Sequence, residues 1–179
     1  MNNKGFTLWF TGLSGAGKTT LAVELEKELR KRGIRNVQRL DGDIVRSDLC
    51  RDLGFSRKDR DENIRRVTFV AEVLSRNGVA TLVAFISPYR EARQYARSRC
   101  QNFVEVYLRC ELPVLIERDV KGLYQKALNG EIVNFTGISD PYEEPESPEL
   151  IIDTARKRIP EAVREIIMYL QKTRLINPE

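Results

Sequence analysis

The stretch Gly5-Phe6-Thr7-Leu8-Trp9-Phe10-Thr11-Gly12-Leu13-Ser14-Gly15-Ala16-Gly17-Lys18-Thr19-Thr20 decides the architecture. Its first half is an apolar run, and from Gly12 to Thr19 it spells GxxxxGK[ST]. Strand, glycine-rich turn and helix in that order are the context in which this motif cradles phosphate. Glycines let the backbone curl until successive N–H groups point inward at phosphate oxygens, and the following helix adds the positive end of its dipole. A nucleoside triphosphate fits there. Lys18 is placed to reach its β- and γ-phosphates, and the Thr19 hydroxyl to ligate the magnesium ion that bridges them.

Working outward, apolar runs alternate with amphipathic segments. Strands are expected at Phe6–Thr11 and at residues 36–40, 79–86, 103–108 and 150–152. Helices are expected at 20–32, Arg57–Arg76, 91–100, 113–118 and Ile159–Lys172. Residues 79–86, VATLVAFI, are almost wholly apolar, as a strand covered on both faces requires. Alternation of this kind predicts an α/β fold, a three-layer α/β/α sandwich of the P-loop NTPase type around a central, mainly parallel five-stranded sheet. Residues 119–148 break the rhythm with Gly122, Gly130, Gly137, Pro141, Pro145 and Pro148. A long irregular segment inside a compact domain reads as a mobile lid.

A chain of 179 residues, 41% of them hydrophobic, suffices for one buried core, so residues 1–179 are expected to form a single domain. The net charge of +4 suits anionic small molecules; 26 acidic residues interleave with the 30 basic ones, and no nucleic-acid-reading motif appears. Cys50, Cys100 and Cys110 are odd in number and lack CxxC spacing, which argues for reduced thiols and the cytoplasm. No apolar stretch approaches the ~20 residues of a membrane span, so no membrane partner is expected, and Met1-Asn2-Asn3-Lys4 lacks the apolar core of a signal peptide. Histidine is absent, so proton transfer falls to carboxylates, lysine or water.

A phosphate loop identifies the donor, not the acceptor. Leu40-Asp41-Gly42-Asp43 places two carboxylates past the carboxyl end of the second strand, the edge that faces the ligand crevice in an open α/β sheet. One could assist the metal, directly or through water, and the other could orient or deprotonate an attacking hydroxyl; Asp43 is the better candidate for the second role, and a simple Asp-Gly turn is the competing reading. Arg46, Arg51, Arg57, Arg60, Arg65 and Arg66 follow, with Phe55 and Asn63 among them. Many such arginines line solvated helix faces, yet guanidinium forks also grip phosphate or sulfate bidentately, and Phe55 offers a purine a flat platform. Asp119-Val120-Lys121-Gly122 matches DxxG by spelling, but it lies after the fourth strand and no NKxD accompanies it, so a guanine-nucleotide switch is not indicated.

In five ordered blocks the chain resembles the adenylylsulfate (adenosine 5′-phosphosulfate, APS) kinases. They are GFTLWFTGLSGAGKTT from Gly5, LDGD from Leu40, DLGFSRKDRDENIRR from Asp52, FISPYR from Phe85 and DVKGLYQKALNGEIVNFTGISDPYE from Asp119. The resemblance implies transfer of the γ-phosphoryl group of ATP to the ribose 3′-hydroxyl of APS, giving 3′-phosphoadenosine 5′-phosphosulfate (PAPS) and ADP in sulfate assimilation, with Mg2+. The phosphate-loop reading places ATP on Gly12, Leu13, Ser14, Gly15, Ala16, Gly17, Lys18, Thr19 and Thr20; Arg118, just before the lid, is a candidate for its base or phosphates, with a solvated helix-end arginine as the competing reading, and Asp41 could assist the metal directly or through water. For APS the resemblance implies Arg46, Arg60 and Asn63 on the phosphosulfate and ribose, and Phe55 and Phe135 around the adenine. Ile86 and Ser87 would approach the acceptor at the end of the third strand, Lys121, Leu123 and Lys126 would come from the lid, and Asp43 would sit near the 3′-hydroxyl. A homodimer and docking with ATP sulfurylase belong to the same resemblance. It also marks Ser87 as a candidate phosphoserine intermediate, whereas the loose transition state of phosphoryl transfer and the lack of an activating histidine favour direct in-line transfer. The competing function is a small-molecule kinase on the same scaffold, acting on a sugar acid, shikimate or a nucleoside monophosphate.

Overall fold

In the computed structural model, which describes residues 4–178, five strands and seven helices alternate. Of the tetrapeptide read against a signal sequence, Met1, Asn2 and Asn3 lie outside the described residues. Strand β1 (Phe6–Thr11) turns through the glycine-rich loop into helix α1 (Lys18–Lys31), and β2 (Val37–Asp41) runs into α2 (Gly42–Ser47). Then come α3 (Arg57–Arg76), β3 (Ala80–Ala84), α4 (Arg90–Arg99), β4 (Phe103–Arg109), α5 (Leu112–Arg118), α6 (Leu123–Leu128), β5 (Leu150–Asp153) and α7 (Ile159–Lys172). The strands lie in the order β2-β3-β1-β4-β5, and every neighbouring pair is parallel.

Period-two alternation along β1 builds the two outer layers. Leu8 and Phe10 pack with Leu21, Leu25 and Leu29 of α1 and Ile166 and Leu170 of α7, while Trp9 and Val83 face Val67 and Ala71 of α3 and Ala96 of α4. Trp9 is fully buried; truncating such a side chain costs about 3–5 kcal/mol. Each helix begins or ends for a visible reason. The Ser56 hydroxyl accepts from the Asp59 amide to start α3, Pro160 sits in the first turn of α7, and α1 gives way at Gly33, whose φ is +83°.

Helices α2 and α6 were not expected from the sequence, and both are organised by aspartates. Asp41 caps α2, its Oδ1 accepting from the Asp43 amide at 3.1 Å. Asp119 accepts from the amides of Tyr124 and Gln125 at 3.0 Å each, anchoring the start of α6 inside the segment expected to be irregular. The DxxG spelling is thus put to use as a helix-capping turn. No helix among the described residues is long and apolar enough to cross a membrane.

Candidate active site

The site lies at the carboxyl edge of the sheet, where β1, β2 and β3 end side by side. Register pairs Phe10 with Ala84 and Asp41 with Ala84, so the glycine-rich loop, Asp41 and the segment after β3 emerge together.

On the donor side, the loop is locked by its covalent geometry and by the sheet beneath. Gly12 has φ +145°, and a Cβ there would stand 2.5 Å from the Leu108 carbonyl oxygen, so only glycine lets the loop leave β1 at this angle. Gly17 precedes α1 in the left-handed region at φ +90°, and the helix N-terminus faces the loop interior. Lys18 folds back inside the loop, its Nζ donating to the carbonyls of Gly12 at 2.9 Å and Leu13 at 2.7 Å. Withdrawal from water lowers the pKa of its ammonium to about 7; the charge of Lys121 acts in the same direction, and Asp41 and Asp43 oppose it. An anion entering this loop would compensate that desolvated cation. Thr19 and Thr20 are exposed at the start of α1. Arg118, at the end of α5, donates to the Thr154 carbonyl at 3.2 Å and approaches Cys110 Sγ at 3.8 Å, just past the ends of β4 and β5.

Asp41 is buried. One oxygen caps α2, and Oδ2 has no hydrogen-bond partner. A buried carboxylate oxygen left open beside a phosphate loop fits a cation or its water. No cluster of three or more metal-ligating side chains occurs among the described residues, so any ion held here would take most of its ligands from phosphate oxygens and water. Asp43 is exposed and accepts from Lys121 Nζ at 2.7 Å, a contact that bridges α2 to the segment before α6.

Between α2 and α3, guanidinium groups converge on Phe55. Arg46 stacks over its ring at 4.4 Å and Arg60 stands 5.8 Å from its centroid. Burial, and then the charge of Arg60, depress the pKa of Arg46. Two like charges held this close favour an anion between or beside them. Asn63, one turn along α3 from Arg60, is buried with Oδ1 unpartnered. Phe55 is 58% exposed, an aromatic face turned to solvent. Phe135 packs edge-on against Tyr124, centroids 5.1 Å apart.

The segment after β3 is fixed from below. Ile86 is half-buried, and its carbonyl accepts from Thr11 Oγ1 at 2.7 Å. Ser87 adopts φ +42°, rare for a residue with a side chain. Its hydroxyl is buried, accepting from Trp9 Nε1 at 2.9 Å, and its carbonyl accepts from Arg93 at 2.6 Å. Arg93 also donates to Glu105 and to the Glu143 carbonyl, so one buried side chain ties β4, the Ser87 turn and the lid.

The segment at 119–148 divides in two. Residues from Phe135 onward are strapped to the body: Tyr142 OH contacts Thr11 Oγ1 at 2.9 Å, Tyr89 OH donates to Asp140, and the Arg90 amide donates to Glu143. Residues 120–134 carry exposed Val120, Leu128 and Val133, and hold Leu123 and Lys126 on α6. Tyr124 fastens α6 to the donor loop through the Ser14 carbonyl at 2.9 Å. Tyr89, Arg93, Tyr124, Asp140 and Tyr142 escaped the sequence reading; the signal was tyrosine, an apolar body with a polar tip, recurring inside charged loops.

A family model for adenylylsulphate kinase matches residues 4–153. An adenylyl-sulfate kinase from Halothermothrix orenii is 57% identical over 98% of this chain and 95% of its own length. A probable adenylyl-sulfate kinase from Pseudomonas aeruginosa is 59% identical over 93% of this chain and 78% of its own. Among solved structures, the Mycobacterium tuberculosis APS kinase CysC in complex with AMPPNP and APS superposes with a TM-score of 0.89 at 43% identity, covering 94% of this chain and 98% of that one.

Proposed function

The chain belongs to the adenylylsulphate kinase family and is an adenylyl-sulfate kinase; from that premise we propose how its residues divide the transfer of the γ-phosphoryl group of ATP to the 3′-hydroxyl of APS. The observation that carries the division is the joining of two unlike groups by one segment: Tyr124 reaches the loop that holds a desolvated Lys18, and Asn134, ten residues on, accepts from Arg60 of the Arg46–Phe55–Arg60 cluster.

ATP takes the loop, its phosphates collecting the amides of residues 12–20 and the ammonium of Lys18, which exchanges its two carbonyl partners for phosphate oxygens. Arg118 flanks the base at the end of β4. Thr19 and the open Asp41 oxygen would hold Mg2+, the latter directly or through water, and bound there it would supply charge neutralisation to the phosphates. APS enters opposite, with Arg46, Arg60 and Asn63 on its phosphosulfate and ribose. Phe55 and Phe135 take the adenine between them, and the chain at Ile86 and Ser87 forms the floor. Asp43 orients the 3′-hydroxyl and accepts its proton as the oxygen attacks phosphorus in line, while Lys121 balances the carboxylate. Lys121, Leu123 and Lys126 approach from the mobile part of the lid, which excludes the water that would otherwise hydrolyse ATP.

Direct transfer is supported by the Ser87 hydroxyl, which is spent on Trp9 within the core. The scaffold alone would also serve a kinase for a sugar acid, shikimate or a nucleoside monophosphate; a sugar acid or shikimate leaves the Phe55 platform without a use, and the family match favours APS over a nucleoside monophosphate. The buried free thiols Cys50, Cys100 and Cys110 support a cytoplasmic setting, and exposed Phe69 and Val73 on α3 offer a homodimer an apolar face. Docking with ATP sulfurylase would shorten the path of the acceptor.

The test is PAPS formation from ATP and APS alongside a panel of other acceptors, with Asp43→Ala as control. Turnover of APS alone, lost in the control, is expected. An inert APS with another acceptor consumed would overturn the assignment.

A further inference from the structure

Arg60 has a second task beside the acceptor contact assigned to it. Its Nε donates to the Phe55 carbonyl at 3.0 Å and its Nη2 to the Asn134 carbonyl, so one guanidinium joins the backbone of both segments that carry the phenyl rings. Its position is set by a carboxylate outside the acceptor contacts described above. Asp140 Oδ2 stands 3.6 Å from Arg60 Nε and accepts from Tyr89 OH at 2.9 Å. Asp140 also closes the turn bearing Phe135: its amide donates to the Phe135 carbonyl at 3.1 Å, and its own carbonyl accepts from the Gly137 amide at 2.7 Å. Gly137 sits at φ +94°, where any side chain would be strained, and a Cβ would press on a terminal methyl of Leu13 in the donor loop at 2.9 Å. Arg57 covers one face of the Tyr89 ring, 4.7 Å from its centroid.

We propose that Asp140, held by Tyr89, is a positioning residue that sets Arg60 and thereby the spacing between Phe55 and Phe135. This rests on the assignment of APS as acceptor, with its adenine between those rings. The carboxylate does not touch the substrate. It orients the guanidinium that fastens Phe55 on one side and Asn134 on the other, so losing its charge loosens the purine slot without disturbing the donor loop. Tyr89 donates to the same Asp140 oxygen that faces Arg60, and its removal lets the carboxylate swing.

The experiment is steady-state kinetics of Asp140→Asn and Tyr89→Phe in the full chain, with thermal melts. Asp140→Asn is expected to raise KM for APS about tenfold or more while KM for ATP stays within about twofold, and Tyr89→Phe to do the same more weakly. In an Arg60→Lys background, Asp140→Asn should add little, because its effect passes through Arg60. Equal rises in both KM values with a fall in melting temperature would reveal a purely structural strap and overturn the inference, as would an unchanged KM for APS or full additivity with Arg60→Lys. Failure of the unsubstituted protein to turn over APS would sink the acceptor assignment and this inference together, an outcome visible before any variant is made.

Discussion

The two halves that we assign to donor and acceptor are built on opposite plans. The donor half is one continuous stretch, Gly12 to Thr20, whose shape is dictated by glycine dihedrals and by the helix it opens. The acceptor half is gathered from α2, the loop before α3, α3 itself, the end of β3 and the lid, and it holds together through side chains such as Arg60, Arg93 and Tyr89. A contiguous site keeps its geometry when one neighbour changes. A gathered one transmits each change to every segment its arginines tie.

Substitutions can sharpen or break that contrast. Lys18→Ala should cut kcat by about 100- to 1,000-fold without altering the fold, since it removes the one cation preorganised inside the loop. A drop of less than tenfold would mean that the amides alone do the donor's work. Arg46→Ala should raise KM for APS by about 10- to 100-fold, the worth of a charge-assisted contact, and leave KM for ATP alone. Equal movement of both constants would show that the halves are not separable.

Alkali probes the layer beneath the acceptor half, where Cys100 packs with α3 and α4. Burial raises its thiol from 9.0 to about 11. The unfolded chain therefore releases this proton first, so the contribution is whole below pH 9 and fades as pH rises toward 11. Chemical denaturation should show a loss of up to about 2 kcal/mol from this thiol across that window, and Cys100→Ala should reduce the slope, leaving the part due to the buried Tyr107, Tyr124 and Tyr142, whose phenols are also raised. The smallest effect on turnover is expected for Ser87→Ala. It should stay within about threefold of normal turnover while stability falls, because Trp9 Nε1 would be left buried without an acceptor. Abolished turnover, with an isolable phosphoserine in the unsubstituted enzyme, would restore the covalent route.

The same contrast explains what the sequence could disclose. Phe6–Thr11, Arg57–Arg76 and Ile159–Lys172 were legible to the residue because their periodicity is local and their caps are chemical. The donor loop was legible because its motif is its geometry. The short helices α2 and α6 were not: six residues are too few to show a period, and both depend on an aspartate reaching back or forward. Asp41 was read as either a turn former or a metal assistant, and its two oxygens take different tasks, one capping a helix and one left open. The tie between Arg60 and residues 134–140 spans more than seventy positions, a distance over which no pattern of one chain announces contact.

Ser87 carries a last consequence. Its backbone sits where glycine would rest at no cost and where asparagine, as at 102 and 134, is commonly tolerated. Serine there carries about 1 kcal/mol or more of backbone strain, and its bonds with Trp9 and Arg93 hold it against relaxation. A glycine would relieve the dihedral and orphan the buried Trp9 Nε1 in the same step, so the two effects offset each other. A thermostabilising screen would therefore pass over the one strained position beneath the crevice, because the side chain that strains the backbone also satisfies the core.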